Sequence, residues 1–289
     1  MKRTGIGIGI LGPAGTFSEM AALKWVGLKR MNLETEVEMR YYDTILDVSE
    51  SILTKEVDYG IVPIENSLEG SVGETLDVLS CENAEPGTQM QIVGEILVPI
   101  KICLLALNNF DRVKKIVSHP HALAQCKRFL RARCKDKEVK PVDSTAVAAK
   151  QASQSEEIAA LASETAAVEY HLRIIEENVQ DRDSVTRFVV LSSTNMRTAP
   201  TGRDKTSILI YLKDRPGALY DVLGEFAHRG INLTKIESRP SKRAMGDYMF
   251  HIDCEGHIEE EAIKDALAGI KKRVAMLKIL GSYPMAEGL

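Results

Sequence analysis

Short runs of hydroxyl, amide and carboxylate side chains follow directly or closely on apolar segments of this sequence. They are Gly15-Thr16, Glu65-Asn66-Ser67 and Ser118-His119. Their side chains can donate and accept hydrogen bonds, and the N-termini of the helices that they are expected to open favour anions. Taken singly, each run is explained as a helix N-cap. Taken together around one crevice, they favour a site for a small, multiply charged acid.

Apolar segments alternate with helix-like segments over the first two thirds of the chain. The segments expected to be strands are Ile6–Leu11, Tyr59–Ile64, Val113–Val117, Val139–Val142, Ile158–Leu161 and Phe188–Leu191. Strands that alternate with helices indicate α/β architecture with a largely parallel sheet. Ligands of such sheets bind beyond the carboxyl ends of the strands, which is where the polar runs lie.

The first strand contains Gly7-x-Gly9-x-x-Gly12, the spacing of a dinucleotide-binding fingerprint. Pro13 favours an extended conformation at Gly12, and Gly15 interrupts the chain again. A helix is therefore not expected before Thr16, although the fingerprint needs one at its third glycine. The spacing is weak evidence for a nicotinamide-dependent enzyme.

The pattern changes after residue 192. Residues 193–205 are polar and contain several turn-forming residues, which is typical of a linker. Residues 206–289 follow the order strand, helix, strand, strand, helix, strand, and this βαββαβ order predicts a ferredoxin-like unit. The sequence thus predicts an N-terminal α/β domain over residues 1–192, the linker, and a second domain over residues 206–289.

Composition narrows the class of protein. The 289 residues are 44% hydrophobic and 27% charged, with a net charge of -4, which gives no basic footprint for nucleic acid. No apolar run reaches the length of a membrane span. The cysteines form no C-x-x-C pair, which indicates free thiols, a cytoplasmic location and no structural zinc. The cysteines are Cys81, Cys103, Cys126, Cys134 and Cys254.

Five longer stretches occur in order along the chain. They are GPAGTFSEMAA, VPIENSLEGSV, SHPHALAQC, VTRF and RPGALYDVLGEFAHRGINLTKIESRP. In this order they resemble the prephenate dehydratase family with a C-terminal ACT regulatory domain. The resemblance implies a catalytic domain of two lobes, like a periplasmic solute-binding protein, with the active site between them. It also implies a homodimer or homotetramer assembled partly through the ACT domains.

The resemblance implies conversion of prephenate to phenylpyruvate in phenylalanine biosynthesis, with loss of CO2 and of the ring hydroxyl. Formation of the aromatic ring drives this reaction, so no cofactor is expected. Thr186 matches the threonine that the family uses toward the departing hydroxyl. The other residues assigned to catalysis are Glu65, Asn66, Ser118 and Gln125, and those assigned to substrate binding are Gly15, Thr16, Phe17, Ser67, Arg187 and Phe188.

Geometry and two departures from the family pattern bear on these assignments. On an extended strand Arg187 points away from the face that carries Thr186, so both reach the cleft only if the strand begins after them. His121 stands where the family commonly has Gln, and Ser184 stands where Asn is usual. His119 and His121 lack a third ligand at suitable spacing, so we expect no metal site.

The resemblance also implies an L-phenylalanine site in the ACT domain. Its expected residues are Gly217, Ala218, Leu219, Asn232, Leu233, Glu237 and Ser238. A glycine at a helix start lets the backbone approach the carboxylate of the amino acid, and strand carbonyls can accept from its ammonium group. Feedback inhibition by L-phenylalanine is the resulting hypothesis.

Two other functions remain open at this stage. Arogenate dehydratase differs only in the amino group that its substrate carries in place of a keto group. A non-catalytic amino-acid sensor would use the two-lobed fold for capture and the ACT domain for signalling. Thr186 together with Glu65 and Asn66 argues against the sensor, because a protein that only binds has no need of the threonine.

Overall fold

The structure is a computed structural model that describes residues 5–28, 36–80, 90–193, 198–213, 215–240 and 248–287. Cys81 and residues 194–197 of the predicted linker lie outside the described residues. The strands are β1 Ile6–Leu11, β2 Val37–Tyr42, β3 Tyr59–Asn66, β4 Gly70–Ser71, β5 Gln91–Ile100, β6 Cys103–Ala106, β7 Lys115–Ser118, β8 Glu138–Pro141, β9 Ile158–Ala162, β10 Arg173–Glu176, β11 Ser184–Ser192, β12 Asp204–Leu212, β13 Leu233–Pro240, β14 Tyr248–Glu255 and β15 Met276–Pro284. The α-helices are α1 Phe17–Leu28, α2 Ile45–Leu53, α3 Gly73–Ser80, α4 Pro120–Gln125, α5 Lys127–Arg133, α6 Thr145–Ala152, α7 Glu164–Glu169, α8 Ala218–Ala227 and α9 Glu261–Lys271.

Each of the first two sheets forms one lobe. The sheet of the first lobe has the order β2-β1-β3-β11-β5, with β4 beside β3, and that of the second lobe has the order β10-β6-β9-β7-β8. β1 is parallel to β2 and β3, and β7 is parallel to β8 and β9. β11 and β6 run antiparallel to their neighbours on both sides. The sheets are therefore largely parallel, as predicted: β1, β2, β3 and β5 share one direction, and so do β7, β8, β9 and β10. β11 and β6 are the exceptions, with the short β4, because each of these two strands arrives from the other lobe and enters its sheet in the opposite direction.

Two chain segments connect the lobes and are hydrogen-bonded to each other. One passes from β5 to β6 through Ile102, and the other passes from β10 to β11 through residues 177–183. The Val179 N–H donates to Ile102 O at 2.9 Å, and the Ile102 N–H donates to Gln180 Oε1 at 2.9 Å. A single hydrophobic cluster contains residues of both lobes. This is the two-lobed α/β architecture that the family resemblance implies.

The predicted helix starts of the second lobe carry serine caps. Ser144 Oγ accepts from the Val147 N–H at 3.0 Å, and Ser163 Oγ accepts from the Ala166 N–H at 3.1 Å. Each cap satisfies one of the N–H groups that a helix leaves unpaired in its first turn. No helix in the described ranges is long and apolar enough to cross a membrane.

The third sheet has the antiparallel order β13-β14-β12-β15. Helices α8 and α9 cover one of its faces, where Ile210, Phe226 and Ile263 share a buried cluster. The predicted βαββαβ unit is therefore confirmed. β12 begins at Asp204, so Asp204 and Lys205, which were expected in the linker, belong to the strand.

The other face of the third sheet packs against the first lobe. Leu209 and Tyr283 share a buried cluster with Ile92 and Val189 of the first lobe. At Gly281 a Cβ atom would lie 2.1 Å from Ile92 O. Only glycine therefore permits β15 to approach β5 this closely. The first lobe is held between the second lobe and the C-terminal domain.

Candidate active site

Thr186 of β11 lies beside Asn66 of β3, its partner across the two antiparallel strands. Asn66 Nδ2 donates to Thr186 Oγ1 at 2.9 Å. Asn66 Oδ1 accepts from the N–H groups of Leu68 and Glu69 at 2.9 and 3.1 Å. Because a backbone N–H can only donate, these contacts fix the amide with its NH2 group toward Thr186. The Thr186 oxygen therefore accepts from Asn66, and its hydroxyl hydrogen can be donated to a ligand.

Ser67 fixes the turn after β3 onto β11. The Ser67 N–H donates to Val185 O at 2.9 Å, and Ser67 Oγ accepts from the Val185 N–H at 3.0 Å. These two bonds hold the residue next to Thr186 in place from both sides of its peptide unit. The structure thus gives Ser67 a positioning contact, and its hydroxyl hydrogen can still be donated to a ligand.

Ser184 and Phe188 lie on the same face of β11 as Thr186, because alternate residues of a strand share a face. The Phe188 ring is 2% exposed and belongs to the core cluster that joins the lobes. The structure therefore does not support Phe188 as a substrate contact. Ser184 is 3% exposed, and its Oγ has no hydrogen-bond partner among the described residues. A buried hydroxyl of this kind can bind a polar atom of a ligand.

The turn before α1 carries the other predicted substrate contacts. The Gly15 N–H donates to Glu19 Oε2 at 2.5 Å, so this amide is already occupied by a carboxylate. Thr16 Oγ1 donates to Leu11 O at 3.2 Å and accepts from the Glu19 N–H at 3.4 Å. The Phe17 side chain is half-buried against the core. Thr16 therefore caps α1, and Phe17 anchors it.

The same turn is hydrogen-bonded to the second lobe. Ser163 Oγ donates to Gly15 O at 2.9 Å, and the Tyr170 hydroxyl donates to Ala14 O at 3.0 Å. Gly15 has φ +83, and a Cβ atom on it would lie 3.1 Å from the Ala166 Cα atom. A glycine is therefore suited both to the left-handed conformation and to the close contact with α7. We call the Ala14-Gly15 contacts with Ser163 and Tyr170 the interlobe latch.

The two predicted catalytic residues of the second lobe have different environments. Gln125 Nε2 donates to Glu69 Oε1 at 3.4 Å, a long contact that reaches across to the turn after Asn66. Ser118 is fully buried, and its Oγ donates to Leu161 O at 2.6 Å. That bond joins β7 to β9. The structure therefore does not support Ser118 as a catalytic residue, whereas Gln125 lies opposite the Asn66 turn.

Glu65 and Arg187 lie on the face of β3 and β11 opposite Asn66 and Thr186. The Arg187 guanidinium donates to Glu95 at 2.7 Å, to Asp253 at 2.6 Å and to the Tyr283 hydroxyl at 2.9 Å. Glu65 Oε2 lies 3.7 Å from Arg187 Nη1. The expected roles of Glu65 in catalysis and Arg187 in substrate binding are therefore not supported. β11 begins at Ser184, so alternation turns Arg187 away from Thr186.

The charges around Arg187 are balanced within the protein. Burial alone would lower the pKa of Arg187, but Tyr283, Asp253 and Glu95 raise it well above its ordinary value. Burial would raise the pKa of Glu95 and Asp253, but Arg187, together with Lys205, holds both below the usual carboxyl range. Arg187, Glu95 and Asp253 are therefore ionised at neutral pH.

His119 caps α4 beside the Asn66 turn. Burial lowers the pKa of His119, and the neighbouring His121 lowers it further, whereas Asp143 and Glu69 raise it. The two imidazole rings lie 4.9 Å apart. Within the described part of the chain, no group of three His, Cys, Asp or Glu side chains could hold a metal ion.

The expected regulatory residues do not all meet within one chain. Gly217 caps the start of α8 with φ +79. Asn232 precedes β13, which begins at Leu233, and both residues lie beyond the far end of this ten-residue helix, which spans about 15 Å. Glu237 accepts from Ser71 Oγ of the first lobe at 3.1 Å, whereas Ser238 is exposed on the other face of β13. The structure therefore places the Glu237 carboxylate at the interface with the catalytic domain.

The sequence alone did not reveal several residues that form hydrogen bonds with the site or with the turn before α1. Glu69 and Glu19 contact the predicted site residues Gln125 and Gly15, and Tyr170 contacts Ala14 beside Gly15, but none of the three was assigned to the site. Ser163 was recognised only as a helix start, and its cap signal could have indicated the latch. Tyr170 has no local signal, because its contact depends on how the lobes meet.

Comparison with known proteins agrees with this architecture. The family model described as prephenate dehydratase matches residues 8–196, and that described as ACT domain matches residues 206–271. A bifunctional chorismate mutase/prephenate dehydratase of Aquifex aeolicus is 44% identical over 97% of this chain and 74% of its own length. A prephenate dehydratase of Methanocaldococcus jannaschii is 37% identical over 95% of this chain and 97% of its own length.

A solved structure is similar over both domains. The crystal structure of prephenate dehydratase from Arthrobacter aurescens in complex with L-Phe has a TM-score of 0.85 and 34% identity, covering 96% of this chain and 90% of that chain. With the fold, the two family matches and these relatives in agreement, this chain belongs to the prephenate dehydratase family and carries a C-terminal ACT domain.

Proposed function

We propose that this protein converts prephenate to phenylpyruvate and that Thr186 assists the departing hydroxyl. The electron pair of the bond to the departing carboxylate moves into the ring, CO2 leaves, and the ring expels hydroxide as it becomes aromatic. Hydroxide is a poor leaving group unless it receives a hydrogen bond or a proton. The Thr186–Asn66 contact carries this proposal, because it leaves the threonine hydrogen available for donation.

Other groups of the cleft are proposed to hold the dianionic substrate. The first turn of α1 beside Thr16 has N–H groups that favour a carboxylate. Gln125 faces the turn after Asn66 from the second lobe, and Ser184 supplies a buried hydroxyl on the Thr186 face. Ser67 and Asn66 hold the turn in register with β11. These assignments place anion binding and hydroxyl departure in one interlobe cleft.

Substitution of Thr186 tests the chemical role. Thr186→Ala is expected to remain folded, with kcat for prephenate reduced at least about a hundredfold, because hydrogen-bond or proton donation to a leaving group contributes about 10²–10⁴-fold. Thr186→Ser keeps the hydroxyl and should retain substantially more activity. Stopped assays that follow phenylpyruvate formation, with circular dichroism for folding, check both variants. Near-normal kcat in the folded alanine variant would remove Thr186 from the mechanism.

We also propose that L-phenylalanine binds the ACT domain and inhibits the enzyme. An ACT domain match and a relative solved in complex with L-Phe support this regulation. Because Gly217 and Asn232 lie at opposite ends of α8, a second copy of the chain would be needed to combine them in one site. A homodimer or homotetramer follows as part of this proposal, which sedimentation with and without L-phenylalanine would test.

The remaining finer assignments are proposals as well. We propose domain limits of 1–192 and 206–289 with a linker between them, and β12 begins two residues before the second limit, at Asp204. A cytoplasmic location is proposed from the free thiols of the four described cysteines. Arogenate dehydratase differs in substrate alone, and comparison of kcat/KM for the two substrates separates the alternatives. An absence of turnover of either substrate would favour the sensor.

A further inference from the structure

The strands that hold the catalytic pair have a second, charged face. Thr186 pairs with Asn66, and the next residue pair along the same strands is Arg187 with Glu65. Because successive side chains point to opposite faces, the first pair lies in the cleft and the second faces the ACT domain. Two adjacent backbone units therefore carry both the active site and an interdomain contact.

Arg187 is bound from three sides at this interface. Glu95 comes from the neighbouring strand β5, while Asp253 and Tyr283 belong to the ACT domain. Glu95 in turn accepts from Lys205 Nζ of the ACT domain at 2.8 and 3.0 Å. The side chains of Arg187 and Glu95 are 9% and 3% exposed. Interactions between charges this deeply buried change steeply with distance, so a small shift of the ACT sheet alters the forces on β11.

The regulatory strand β13 repeats the same two-faced pattern. Ser238, an expected contact of L-phenylalanine, is exposed, whereas its neighbours Glu237 and Arg239 contact Ser71 and Asp77 of the catalytic domain. On the same strand, Lys235 Nζ lies 2.5 Å from Ser71 Oγ and 3.5 Å from Glu65 Oε2. A ligand at Ser238 is thus one residue away from two contacts with the catalytic domain and three residues away from Lys235, whose Nζ reaches Glu65.

We propose that Arg187 is a positioning residue that transmits the state of the ACT domain to Thr186, with Glu65 joining it to Lys235 on the regulatory strand. Movement of β13 and β14 on ligand binding changes the contacts of Lys235 and Asp253. Those contacts displace Glu65 and Arg187, and the opposite faces of the same strands carry Asn66 and Thr186 with them. The inference rests on the proposed inhibition by L-phenylalanine and adds its route.

Variants at the two linking positions test this route. Arg187→Lys keeps the charge but cannot hold three partners with one planar group. Glu65→Gln removes the charge that lies between Arg187 and Lys235, and Glu65 is partly exposed, so the fold should survive. Lys278→Met is the matched control, because Lys278 donates across the same interface at 3.1 Å to Leu79 O, which belongs to α3 and not to β3 or β11.

Two quantities are measured for each protein. Calorimetry gives the Kd of L-phenylalanine. Steady-state assays give the coupling factor, which is the factor by which saturating L-phenylalanine raises the apparent KM of prephenate. Such factors are typically about 5–150 in coupled systems. We expect Arg187→Lys and Glu65→Gln to keep Kd within about threefold while the coupling factor falls at least about fivefold and threefold, respectively. Lys278→Met should retain the wild-type factor.

The outcomes separate this inference from the regulation on which it rests. Folded Arg187→Lys and Glu65→Gln proteins that bind L-phenylalanine and keep the wild-type coupling factor would overturn the inference and leave the regulation intact. If Arg187→Lys does not fold, the Glu65→Gln result decides alone. A wild-type protein that binds no L-phenylalanine would overturn both, and that result appears before any variant is made.

Discussion

At the scale of the residue, the orientation of one amide decides what Thr186 can do. Two backbone N–H groups occupy Asn66 Oδ1, so the amide presents its NH2 group to the threonine. A threonine that accepts from Asn66 can donate to the substrate, whereas one that donates to its neighbour cannot. The sequence supplies the asparagine and the threonine, but this direction is set by the turn that follows β3.

An Asn66→Asp substitution reverses that direction. A carboxylate accepts the Thr186 hydrogen that the substrate needs, so kcat is expected to fall about ten- to a hundredfold with little loss of folding stability. The double variant Asn66→Asp, Thr186→Ala distinguishes this route from simple charge repulsion. If Asn66 acts through Thr186, the double variant is no slower than Thr186→Ala alone. A further tenfold loss in the double variant would contradict the argument.

At the scale of the element, β11 connects the active site with the ACT domain, because it lies between β3 and β5 and carries functional residues on both of its faces. Its central part was predicted from the apolar run Phe188–Leu191. Its first four residues were not, because Ser184 and Arg187 do not resemble a buried strand. They become buried only through antiparallel pairing with β3 and β5, which are distant in sequence.

The sequence therefore predicted the order of helices and strands along the chain better than it predicted which strands pair with each other. The strand–helix junctions at Ser144 and Ser163 and the βαββαβ unit follow from local patterns, and the structure agrees with them. The family motifs identified Thr186 and Asn66 together. They also selected Glu65 and Arg187, which lie one residue away in the motifs but on the opposite face in space. Residues that are adjacent in a motif lie on opposite faces of a strand. The motif alone does not show which of them faces the cleft when the start of the strand is unknown.

The interlobe latch is an element-scale feature with a measurable role. Tyr170→Phe removes the hydrogen bond to Ala14 O, and such a bond contributes about 1 kcal/mol. Because the latch holds the turn that carries Thr16, we expect the KM of prephenate to rise about fivefold while the melting temperature changes little. Tyr220→Phe is the control, since Tyr220 is 76% exposed and lies in the ACT domain. Equal KM values for both variants and the wild type would exclude a role for the latch in binding.

At the scale of the whole molecule, the interface between the catalytic and ACT domains contains a histidine that cannot easily become charged. His251 is 3% exposed, and its Nε2 lies 2.9 Å from Ser80 Oγ of the first lobe. Burial, together with Lys235 and Arg239, lowers the pKa of His251 to about 4, although Asp253 and Asp77 oppose this shift. In the unfolded chain the same side chain titrates near pH 6.5, so acid favours unfolding.

The histidine predicts a pH dependence of stability in a defined window. Between about pH 6.5 and pH 4.5 the unfolded chain binds a proton that the folded protein does not, so His251 lowers the free energy of unfolding by up to about 1.4 kcal/mol per pH unit as pH falls. His251→Gln should reduce this slope, as measured by urea unfolding across the window. The lowered pKa values of Glu95 and Asp253 act at more acidic pH, where their contribution is lost. An unchanged slope in the variant would contradict the prediction.

If L-phenylalanine inhibits this enzyme as proposed, the buried ionic contact between β11 and the ACT sheet limits how that inhibition could be removed by engineering. Cutting the chain near residue 193 would leave the charged side chains of Arg187 and Glu95 without their partners Asp253 and Lys205. It would also expose the apolar surface around Val189 to water. Such a fragment is expected to aggregate rather than to show higher catalytic activity. A strain that overproduces the amino acid is better built with a full-length protein altered at the solvent side of β13, where Ser238 can change without disturbing the support behind Thr186.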